Sequence, residues 1–308
     1  MKCGKCKDKA VINMRQHNIG LCKMHFLAWI PEQTQRFIDK YSMFSTSDKI
    51  LVAVSGGKDS LALWDILSLL GYKADGLYIG LGIDGDVNYA IESLYYCQRF
   101  AKEHNLNLIT VDIEEEHGIS IPQIAKKIQR GKDKPCSICG ITKRHTMNRI
   151  AREQNYDVLA TGHNLDDEAA TLFGNTLHWQ AQYLRRQNPV LAASESGLAR
   201  KVKPLFRFYE REMAAYALLR GISYIYEECP FSAGAKSLFH KQLLNQLEYE
   251  QPGAKLQFYL TFLNAKETGI FTPSKQKPAE LNICKSCGQP TSAPELCSFC
   301  RIFDSMQK

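Results

Sequence analysis

The fold is decided by the stretch Ile50-Leu-Val-Ala-Val-Ser-Gly-Gly-Lys-Asp-Ser60. Its first five residues are all apolar, which is typical of a strand buried on both faces of a parallel sheet. Apolar side chains then recur at helical spacing from Leu61 to Leu70, and Gly71 is placed to end that helix. A buried strand, a glycine-rich turn and a helix in this order predict the first unit of an open α/β sheet.

The chain after this unit alternates between apolar strands and amphipathic helices. Strands are predicted over 73–79, 107–113 and 157–161, with a candidate last strand over 222–226. Helices are predicted over 88–104, 122–129, 141–154, 165–177, 209–220 and 238–249. Residues 178–203 are basic with little periodicity, so a long irregular segment is expected there. The alternation predicts an α/β fold with a doubly wound parallel sheet.

The turn after the first strand has the features of a phosphate site. Gly56 and Gly57 let the backbone approach an anion closely, and the following helix presents unpaired N–H groups. Ser55 and Ser60 add hydroxyl donors, and Lys58 adds a positive charge. The spacing matches neither the Walker A loop nor the dinucleotide-binding fingerprint. The simpler alternative is a glycine-rich turn capped by serine and aspartate.

The composition is that of an ordinary globular protein of about two domains. The 308 residues are 44% hydrophobic and 23% charged, which excludes a disordered or fibrous chain. No apolar run is long enough for a membrane-spanning helix, and the N-terminus lacks the apolar core of a signal peptide. We therefore expect a cytosolic protein without a membrane contact. Its 11 cysteines then indicate metal binding rather than disulfides.

Two terminal cysteine clusters have the spacing of closed, structural zinc sites. The predicted ligands are Cys3, Cys6, Cys22 and His25 for one Zn²⁺, and Cys284, Cys287, Cys297 and Cys300 for the other. We accordingly divide the chain into an N-terminal zinc finger over 1–30, a catalytic domain over 31–270 and a C-terminal zinc ribbon over 271–308. The catalytic domain includes a linker helix predicted over 31–41, and a linker-like stretch over 273–277 precedes the ribbon.

Three internal cysteines remain, the pair Cys136 and Cys139 and the single Cys229. Three thiolates can hold a [4Fe–4S] cluster and leave one iron open to carry sulfide. The same residues could instead work without a cluster, one as a persulfide donor and another to resolve the disulfide. Bare cysteine chemistry leaves these two hypotheses near even, and a redox-inert pair with a buried thiol is a third.

Positive charge is concentrated around the cysteine pair. Between Lys126 and Arg144, seven basic residues face one acidic residue, Asp133, which gives +6. A solvated loop would explain such a run. The functional interpretation is contact with a nucleic-acid backbone, which Arg185, Arg186, Arg200 and Lys201 would extend.

Several motifs together resemble a known family. The Ser55–Ser60 loop after an apolar strand resembles the PP-loop of ATP pyrophosphatases, whose fold is adenine nucleotide alpha hydrolase-like. Ala160-Thr-Gly-His-Asn-Leu-Asp-Asp-Glu-Ala-Ala170 resembles the second nucleotide motif of the tRNA thiolation branch, and Cys136-Ser-Ile-Cys139 and Glu227-Glu-Cys-Pro230 resemble its active-site cysteines. The stretches 61–65, 167–175 and 252–255 are similar to the TtuA type, the tRNA 5-methyluridine-54 2-sulfurtransferases.

The resemblance implies a two-step enzyme reaction, in which ATP adenylates uracil O2 of a tRNA base and sulfur then displaces AMP. It implies a [4Fe–4S] cluster on Cys136, Cys139 and Cys229, and catalytic roles for these cysteines and for Asp59, Lys143 and Asp167. The implied ATP-binding residues are Ala53, Val54, Ser55, Gly56, Gly57, Lys58, Asp59, Ser60, Ile79, Lys143, Gly162 and Asp167. Asp59 or Asp167 would bind Mg²⁺, while His163 either faces the nucleotide or caps its turn. A thiocarboxylated ubiquitin-like protein, or free sulfide, would supply the sulfur.

Other functions share some of these features. A wobble-uridine or cytidine thiolase would have the same site, and a cluster-free persulfide enzyme the same cysteines. A PP-loop amidotransferase or ligase would leave Cys136, Cys139, Cys229 and the zinc modules unexplained. A zinc-bearing RNA-binding protein that binds ATP without turnover is the alternative that is not an enzyme. A homodimer is expected only as the commonest assembly of soluble proteins.

Overall fold

The computed structural model describes residues 1–84, 88–128, 135–194, 197–232, 234–270 and 281–306. Its strands are β1 (Ile12–Met14), β2 (Ile19–Leu21), β3 (Ile50–Val54), β4 (Ala74–Gly80), β5 (Leu108–Asp112), β6 (Val158–Thr161), β7 (Val190–Leu191), β8 (Arg200–Val202), β9 (Asn282–Ile283) and β10 (Pro290–Thr291). Its helices are α1 (Lys23–Lys40), α2 (Lys58–Leu69), α3 (Tyr89–His104), α4 (Ile113–His117), α5 (Ile121–Lys127), α6 (Cys136–Glu153), α7 (Leu165–Leu177), α8 (Ala181–Arg186), α9 (Glu210–Arg220), α10 (Lys236–Glu250), α11 (Ala254–Glu267) and α12 (Ser298–Asp304).

A sheet with the order β5-β4-β3-β6-β8-β7 lies at the centre of the described chain. All neighbouring pairs are parallel except β7 with β8. In the middle, Val52 of β3 pairs with Gly76 of β4 on one side and with Ala160 of β6 on the other. The chain builds outward from β3 to β5, returns, and builds outward again from β6. The predicted α/β, doubly wound parallel sheet is confirmed, and its order reverses beside β3, where such sheets bind ligands.

Both faces of the sheet are covered, as the continuous apolar strand predicted. Alternate residues of β3 point to opposite sides, because side chains alternate along a strand. Ile50, Val52 and Val54 pack in one apolar cluster with side chains of α1, α2 and α9. Leu51 packs in the other cluster, with side chains of α5, α6 and α12. The sheet is therefore the middle layer of three, and the C-terminal cysteine-containing segment contributes to one outer layer.

The prediction was wrong at the far edge of the sheet. The candidate strand over 222–226 does not form, and the backbone N–H of Ile225 instead donates to the carbonyl of Gly56 at 2.9 Å. The edge strands β8 and β7 lie within residues 178–203, which we expected to be irregular. β8 carries only one fully buried side chain, Val202. Three residues at a sheet edge are too few to show the apolar alternation that identifies a strand.

Two helices begin earlier than predicted, and each earlier start places candidate metal ligands in the first turn of a helix. The linker helix expected from Pro31 starts at Lys23 and continues through Pro31, so His25 lies in its first turn. The helix expected from Ile141 starts at Cys136, which places the cysteine pair in its first turn. The α11 helix was not predicted. The expected linker over 273–277 and the basic residues Arg130, Lys132 and Lys134 lie outside the described residues.

In the described part of the chain, no helix combines the length and apolar character needed to cross a bilayer.

Candidate active site

Hydrogen bonds of the Ser60 side chain stabilise the loop between β3 and α2. The hydroxyl of Ser60 accepts from the N–H of Ser55 at 3.1 Å and donates to the carbonyl of Gly57 at 3.0 Å. Gly56 has φ +75°, and a Cβ there would lie 2.5 Å from the carbonyl oxygen of Ser93. Glycine is therefore required at this position for its conformation and for the close approach of α3. The loop leaves the first N–H groups of α2 available to an anion.

A second helix N-terminus converges on this loop. Asn164 caps α7, because its side chain accepts from the N–H of Asp167 and the Asp167 carboxylate accepts from its N–H. The same Asn164 side chain donates to Asp59 Oδ1 at 3.2 Å, which joins the two loops. A Cβ on Gly162 would come within 2.9 Å of the Asp59 backbone. His163 contacts the hydroxyl of Thr161 at 2.8 Å within its own turn.

An ionic network spans both helix N-termini. Lys58 lies 3.0 Å from Asp59 and 2.9 Å from Glu210, and Lys241 lies 3.1 Å from Glu210 and 2.7 Å from Asp167. Burial would raise the pKa of Glu210, but the two ammonium groups outweigh it and hold that pKa at about 2. Burial raises the pKa of Asp59 although Lys58 opposes it. The ammonium groups of Lys58 and Lys241 therefore lie beside the phosphate-type loop, each paired with carboxylates.

Glu210 and Lys241 carry no signal in the sequence that predicts their place in this network. Both lie far along the chain from the loop, on α9 and α10, and neither belongs to a motif. The acidic first turn of a helix and a lysine within a helix are common surface features. Only the fold brings them together.

Beside the loop lies a cavity of about 130 Å³ at the carboxyl ends of β3 and β4. It includes five residues expected to bind ATP, namely Ala53, Val54, Ser55, Ile79 and Lys143. The other lining residues are Leu77, Tyr78, Leu81, Ile83, Tyr89, Ala90, Ser93, Cys139, Met147 and Cys229. An apolar pocket next to a phosphate-type loop suits a nucleoside. Of the remaining expected residues, Gly162 packs behind the loop, and Asp167 lies in the ionic network.

Two of the internal cysteines line the other side of this cavity, and the third lies near them. Cys139, Lys143 and Met147 are spaced by four residues along α6, so they share one helix face and line the cavity together. Cys229 lines it from the segment after α9, and the Cys136 thiol contacts the carbonyl of Phe231 at 3.7 Å. All three are free thiols. The pKa of Cys139 is raised by burial and by the neighbouring Cys229 and Cys136, while Lys143 opposes the shift.

This set of donors fits an iron–sulfur cluster. Three soft thiols, partly exposed and free of disulfides, are the donors that such clusters prefer. The same set also fits persulfide chemistry, in which one thiol carries the sulfur and a second resolves the disulfide. Sequence spacing alone could not show that residues so far apart meet.

The N-terminal cluster forms a compact set of four donors. The ligand atoms of Cys3, Cys6, Cys22 and His25 all lie within 4.8 Å of one another. Individual distances are 3.3 Å from Cys22 Sγ to His25 Nδ1 and 3.7 Å between the sulfurs of Cys6 and Cys22. Cys3 and Cys6 precede the hairpin of β1 and β2, and His25 follows on α1. Three sulfurs and one nitrogen this close suit a tetrahedral zinc site.

The C-terminal cluster brings three of its four cysteines together with one residue that was not expected, while Cys284 lies outside this closest set of ligand atoms. The sulfurs of Cys287 and Cys297 lie 3.9 Å apart, and Cys284 Sγ accepts from the N–H of Cys297 at 3.2 Å. The ligand atoms of Cys287, Cys297 and Cys300 also lie within 4.8 Å of a ring nitrogen of His145. Sequence spacing gave no signal for His145, because it belongs to α6, far from the ribbon.

Part of the expected basic surface forms one cluster beside α6. Burial and the charges of Arg144 and Arg186 lower the pKa of Lys201 to about 8. Burial is the larger cause, and the two guanidinium charges add to it because they act on Lys201 from nearby. Arg200 is differently placed, because its guanidinium donates to the carbonyl of Met43 at 3.2 Å.

Comparison with known families gives two matches along the chain. Residues 2–27 match the family described as 2-thiouridine synthetase TtuA, N-terminal LIM domain. Residues 30–231 match the PP-loop domain family.

Relatives match the whole chain. It is 46% identical over 308 residues to the tRNA-5-methyluridine(54) 2-sulfurtransferase of Thermus thermophilus, covering 100% of this chain and 92% of that protein. It is 45% identical over 309 residues to the protein of the same name from Thermotoga maritima, covering 100% and 98%. Among solved structures, the U34-tRNA thiolase NcsA from Methanococcus maripaludis with its [4Fe-4S] cluster superposes with a TM-score of 0.80 at 22% identity, covering 99% of this chain and 96% of that one. At this identity the superposition shows a shared fold.

Proposed function

Because this chain belongs to the family of the tRNA-5-methyluridine(54) 2-sulfurtransferases, within the PP-loop domain family, we propose that it thiolates a tRNA uridine at the expense of ATP. The observation that carries the proposal is one cavity bounded by a phosphate-type loop on one side and by Cys139, Cys229 and Lys143 on the other. This arrangement lets an activated base and a sulfur source meet. We infer that the reaction takes place in the cytoplasm, where tRNA is found.

The first step would activate the base. Uracil O2 attacks the α-phosphorus of ATP, the bond to the β-phosphate oxygen breaks, and pyrophosphate leaves. Activation is needed because an amide-like oxygen is a poor leaving group. In the second step sulfur attacks C2, the C2–O2 bond breaks, and AMP leaves with the former O2.

The loop 55–60 would hold the phosphates in the first step. The N-termini of α2 and α7 converge there, and preorganised N–H groups stabilise charge that develops on phosphate oxygens. Lys58 and Lys241 would exchange Glu210 for pyrophosphate oxygens, since both already lie within 3.1 Å of that carboxylate. Asp59 and Asp167 are the carboxylates available to Mg²⁺ at this edge, and carboxylate together with phosphate oxygens is its usual ligand set.

The adenosine would occupy the apolar side of the cavity. Ala53 and Ile79 lie at the ends of neighbouring strands and line this side. Lys143, on the α6 face toward the cavity, would contact the nucleotide from the cysteine side.

We propose that Cys136, Cys139 and Cys229 hold a [4Fe–4S] cluster, which the donor set fits. When bound, such a cluster supplies an iron without a protein ligand where a sulfide can bind. Persulfide formation on one of these cysteines remains the competing mechanism. We also propose Zn²⁺ in each terminal cluster, where the role is structural because all positions would be filled by protein donors.

The tRNA would lie across the basic cluster of Arg144, Arg186 and Lys201, of which Arg144 follows the cavity residue Lys143 on α6. The positive charges that Arg144 and Arg186 place near Lys201 support a polyanionic partner. The sulfur source is proposed to be a thiocarboxylated ubiquitin-like protein or free sulfide, and the assembly a homodimer.

The direct test uses tRNA transcripts that carry uridine at position 54 or position 34. The anaerobically reconstituted protein is incubated with each transcript, ATP, Mg²⁺ and sulfide, and the nucleosides are analysed by mass spectrometry. We expect a thiolated nucleoside from position 54 with matching pyrophosphate release. Thiolation at position 34 alone would assign the protein to the wobble-uridine thiolases. Pyrophosphate release that does not depend on tRNA would point to a ligase.

A further inference from the structure

Helix α6 connects the two metal regions on one side of the sheet. Its residues Cys139, Lys143 and Met147 face the cavity. His145 and Arg152 face the C-terminal ribbon, and His145 is separated from Cys139 by about 120° around the helix axis. The ribbon is therefore docked on a different face of the helix that carries two of the three internal cysteines.

The contacts between α6 and the ribbon involve residues 287–289, which follow the first predicted ribbon ligand. The guanidinium of Arg152 donates to the carbonyls of Gly288 at 2.7 Å and Cys287 at 3.3 Å. The side chain of Gln289 donates to the carbonyl of His145 at 3.3 Å. These hydrogen bonds hold residues 287–289 of the ribbon against α6.

His145 lies at the centre of this contact. Its ring stacks on Phe299, with 3.8 Å between the ring centroids and an angle of 4° between the planes. Phe299 stands between the two ligand candidates Cys297 and Cys300 in the sequence. Both ring nitrogens of His145 are buried, and neither has a hydrogen-bond partner among the described residues. A buried imidazole N–H without a partner is costly, so a partner is expected.

Three sulfurs lie close to the His145 ring. A ring nitrogen of His145 lies within 4.8 Å of the sulfurs of Cys287, Cys297 and Cys300. Cys284 lies outside this close set, but its sulfur accepts from the N–H of Cys297 and so stays beside the site. If zinc takes the four cysteines that the spacing predicts, a tetrahedral site has no position for a fifth ligand. Four thiolates on one Zn²⁺ carry a net charge of about −2, which N–H donors around the sulfurs offset. The N–H groups of Cys297 and Cys300 already donate to the sulfurs of Cys284 and Cys297.

We propose that the imidazole of His145 donates a hydrogen bond to a thiolate of the C-terminal zinc site and thereby anchors the ribbon to α6. The proposal rests on the zinc that we assign to Cys284, Cys287, Cys297 and Cys300. His145 is then a positioning residue for that site. Through it, the metal module holds the helix that presents Cys139 and Lys143 to the cavity.

The test compares His145→Phe with the unchanged protein in the full chain. Phenylalanine keeps the stack on Phe299 but has no N–H donor. Zinc release is followed with a chromogenic chelator, and the N-terminal zinc provides an internal reference. We expect the C-terminal zinc to leave about 10 to 100 times faster from His145→Phe, the range typical for the loss of an outer-shell partner of a metal ligand.

His104→Phe is the matched control. His104 also stacks on a phenylalanine, Phe100, with 4.2 Å between the ring centroids, but it lies away from both metal clusters. Its replacement should leave both release rates unchanged. Equal release of the C-terminal zinc from His145→Phe and the unchanged protein would overturn the proposal.

Cobalt substitution distinguishes a hydrogen bond from direct ligation. In a full-chain Cys22→Ser background, which weakens the N-terminal site, Co²⁺ in the C-terminal site should give a spectrum of four sulfur ligands. His145→Phe should keep that ligand set and shift only the sulfur-to-cobalt charge-transfer band. A cobalt spectrum that shows a nitrogen ligand in the unchanged site and its loss in His145→Phe would overturn the proposal in favour of direct ligation. Absence of any metal at this site in the unchanged protein would remove the zinc assignment as well.

Discussion

Cys139 and His145 lie on different faces of helix α6, one lining the cavity and the other stacked on Phe299 of the C-terminal ribbon. A single helix thus joins the proposed sulfur site to a proposed zinc module. The ribbon is consequently part of the framework of the active site rather than a separate appendage. Loss of its metal should disturb the cavity before it unfolds the sheet.

Replacement of Asp59 by alanine should abolish thiolation and leave the fold intact. The carboxylate joins the two loops of the proposed phosphate site through Asn164 and is one of the two proposed Mg²⁺ ligands. We expect a loss of about two orders of magnitude or more in thiolated nucleoside, measured by mass spectrometry. Asp39→Ala, on the surface of α1, should keep full activity. Normal yield from a folded Asp59→Ala variant would remove the role assigned to this residue.

Replacement of Cys229 by serine should remove iron and spare both zincs. An alcohol is a poor substitute for a thiolate in an iron–sulfur cluster, while the terminal clusters are separate from this site. Metal analysis after anaerobic reconstitution gives the readout. Cys97→Ala is the control. Cys97 is fully buried in the core, so this variant should keep the iron content of the unchanged protein. Unchanged iron in Cys229→Ser would count against the three-cysteine site.

Replacement of Gly56 by alanine should weaken ATP binding and lower stability. The change strains a backbone at φ +75° and places a Cβ 2.5 Å from the Ser93 carbonyl. Gly71→Ala separates the two effects, since Gly71 has φ +80° with open space around its Cβ position. We expect Gly71→Ala to cost about 1–2 kcal/mol of unfolding free energy without affecting ATP affinity. Equal ATP affinity in Gly56→Ala, by calorimetry, would contradict the close approach required here.

Binding of tRNA should take up protons near pH 8. The pKa of Lys201 is lowered to about 8 by burial and by the charges of Arg144 and Arg186. At that pH, Lys201 is therefore neutral in about half of the protein molecules. Phosphate contacts favour the charged form and raise this pKa. Affinity should therefore fall as the pH rises through 8. Calorimetry in two buffers of different ionisation enthalpy measures the uptake.

Lys201→Arg provides the matched comparison for this pH effect. Arginine stays protonated over this range, so the variant should bind tRNA with no proton uptake near pH 8. Proton uptake that is identical in the two proteins would show that another group titrates on binding.

The sequence was most informative where chemistry and local structure coincide. The strand Ile50–Val54 and the helix Leu165–Leu177 have the predicted bounds, because each combines a strong apolar pattern with a clear cap or turn. It was least informative where function depends on distant residues meeting. The contacts of Lys241 with Asp167 and of His145 with the ribbon cysteines leave no local pattern. The same holds for β8, which is held in the sheet by its pairing with β6 rather than by its own side chains.

The most direct test of the two-step reaction follows the oxygen atom that sulfur replaces. A tRNA labelled with oxygen-18 at uracil O2 is thiolated with unlabelled ATP, and the AMP and pyrophosphate are analysed by mass spectrometry. Adenylation of O2 predicts that the label appears in AMP, one oxygen for each thiolated base, and that pyrophosphate stays unlabelled. Thiolated tRNA with unlabelled AMP would contradict adenylation of the base.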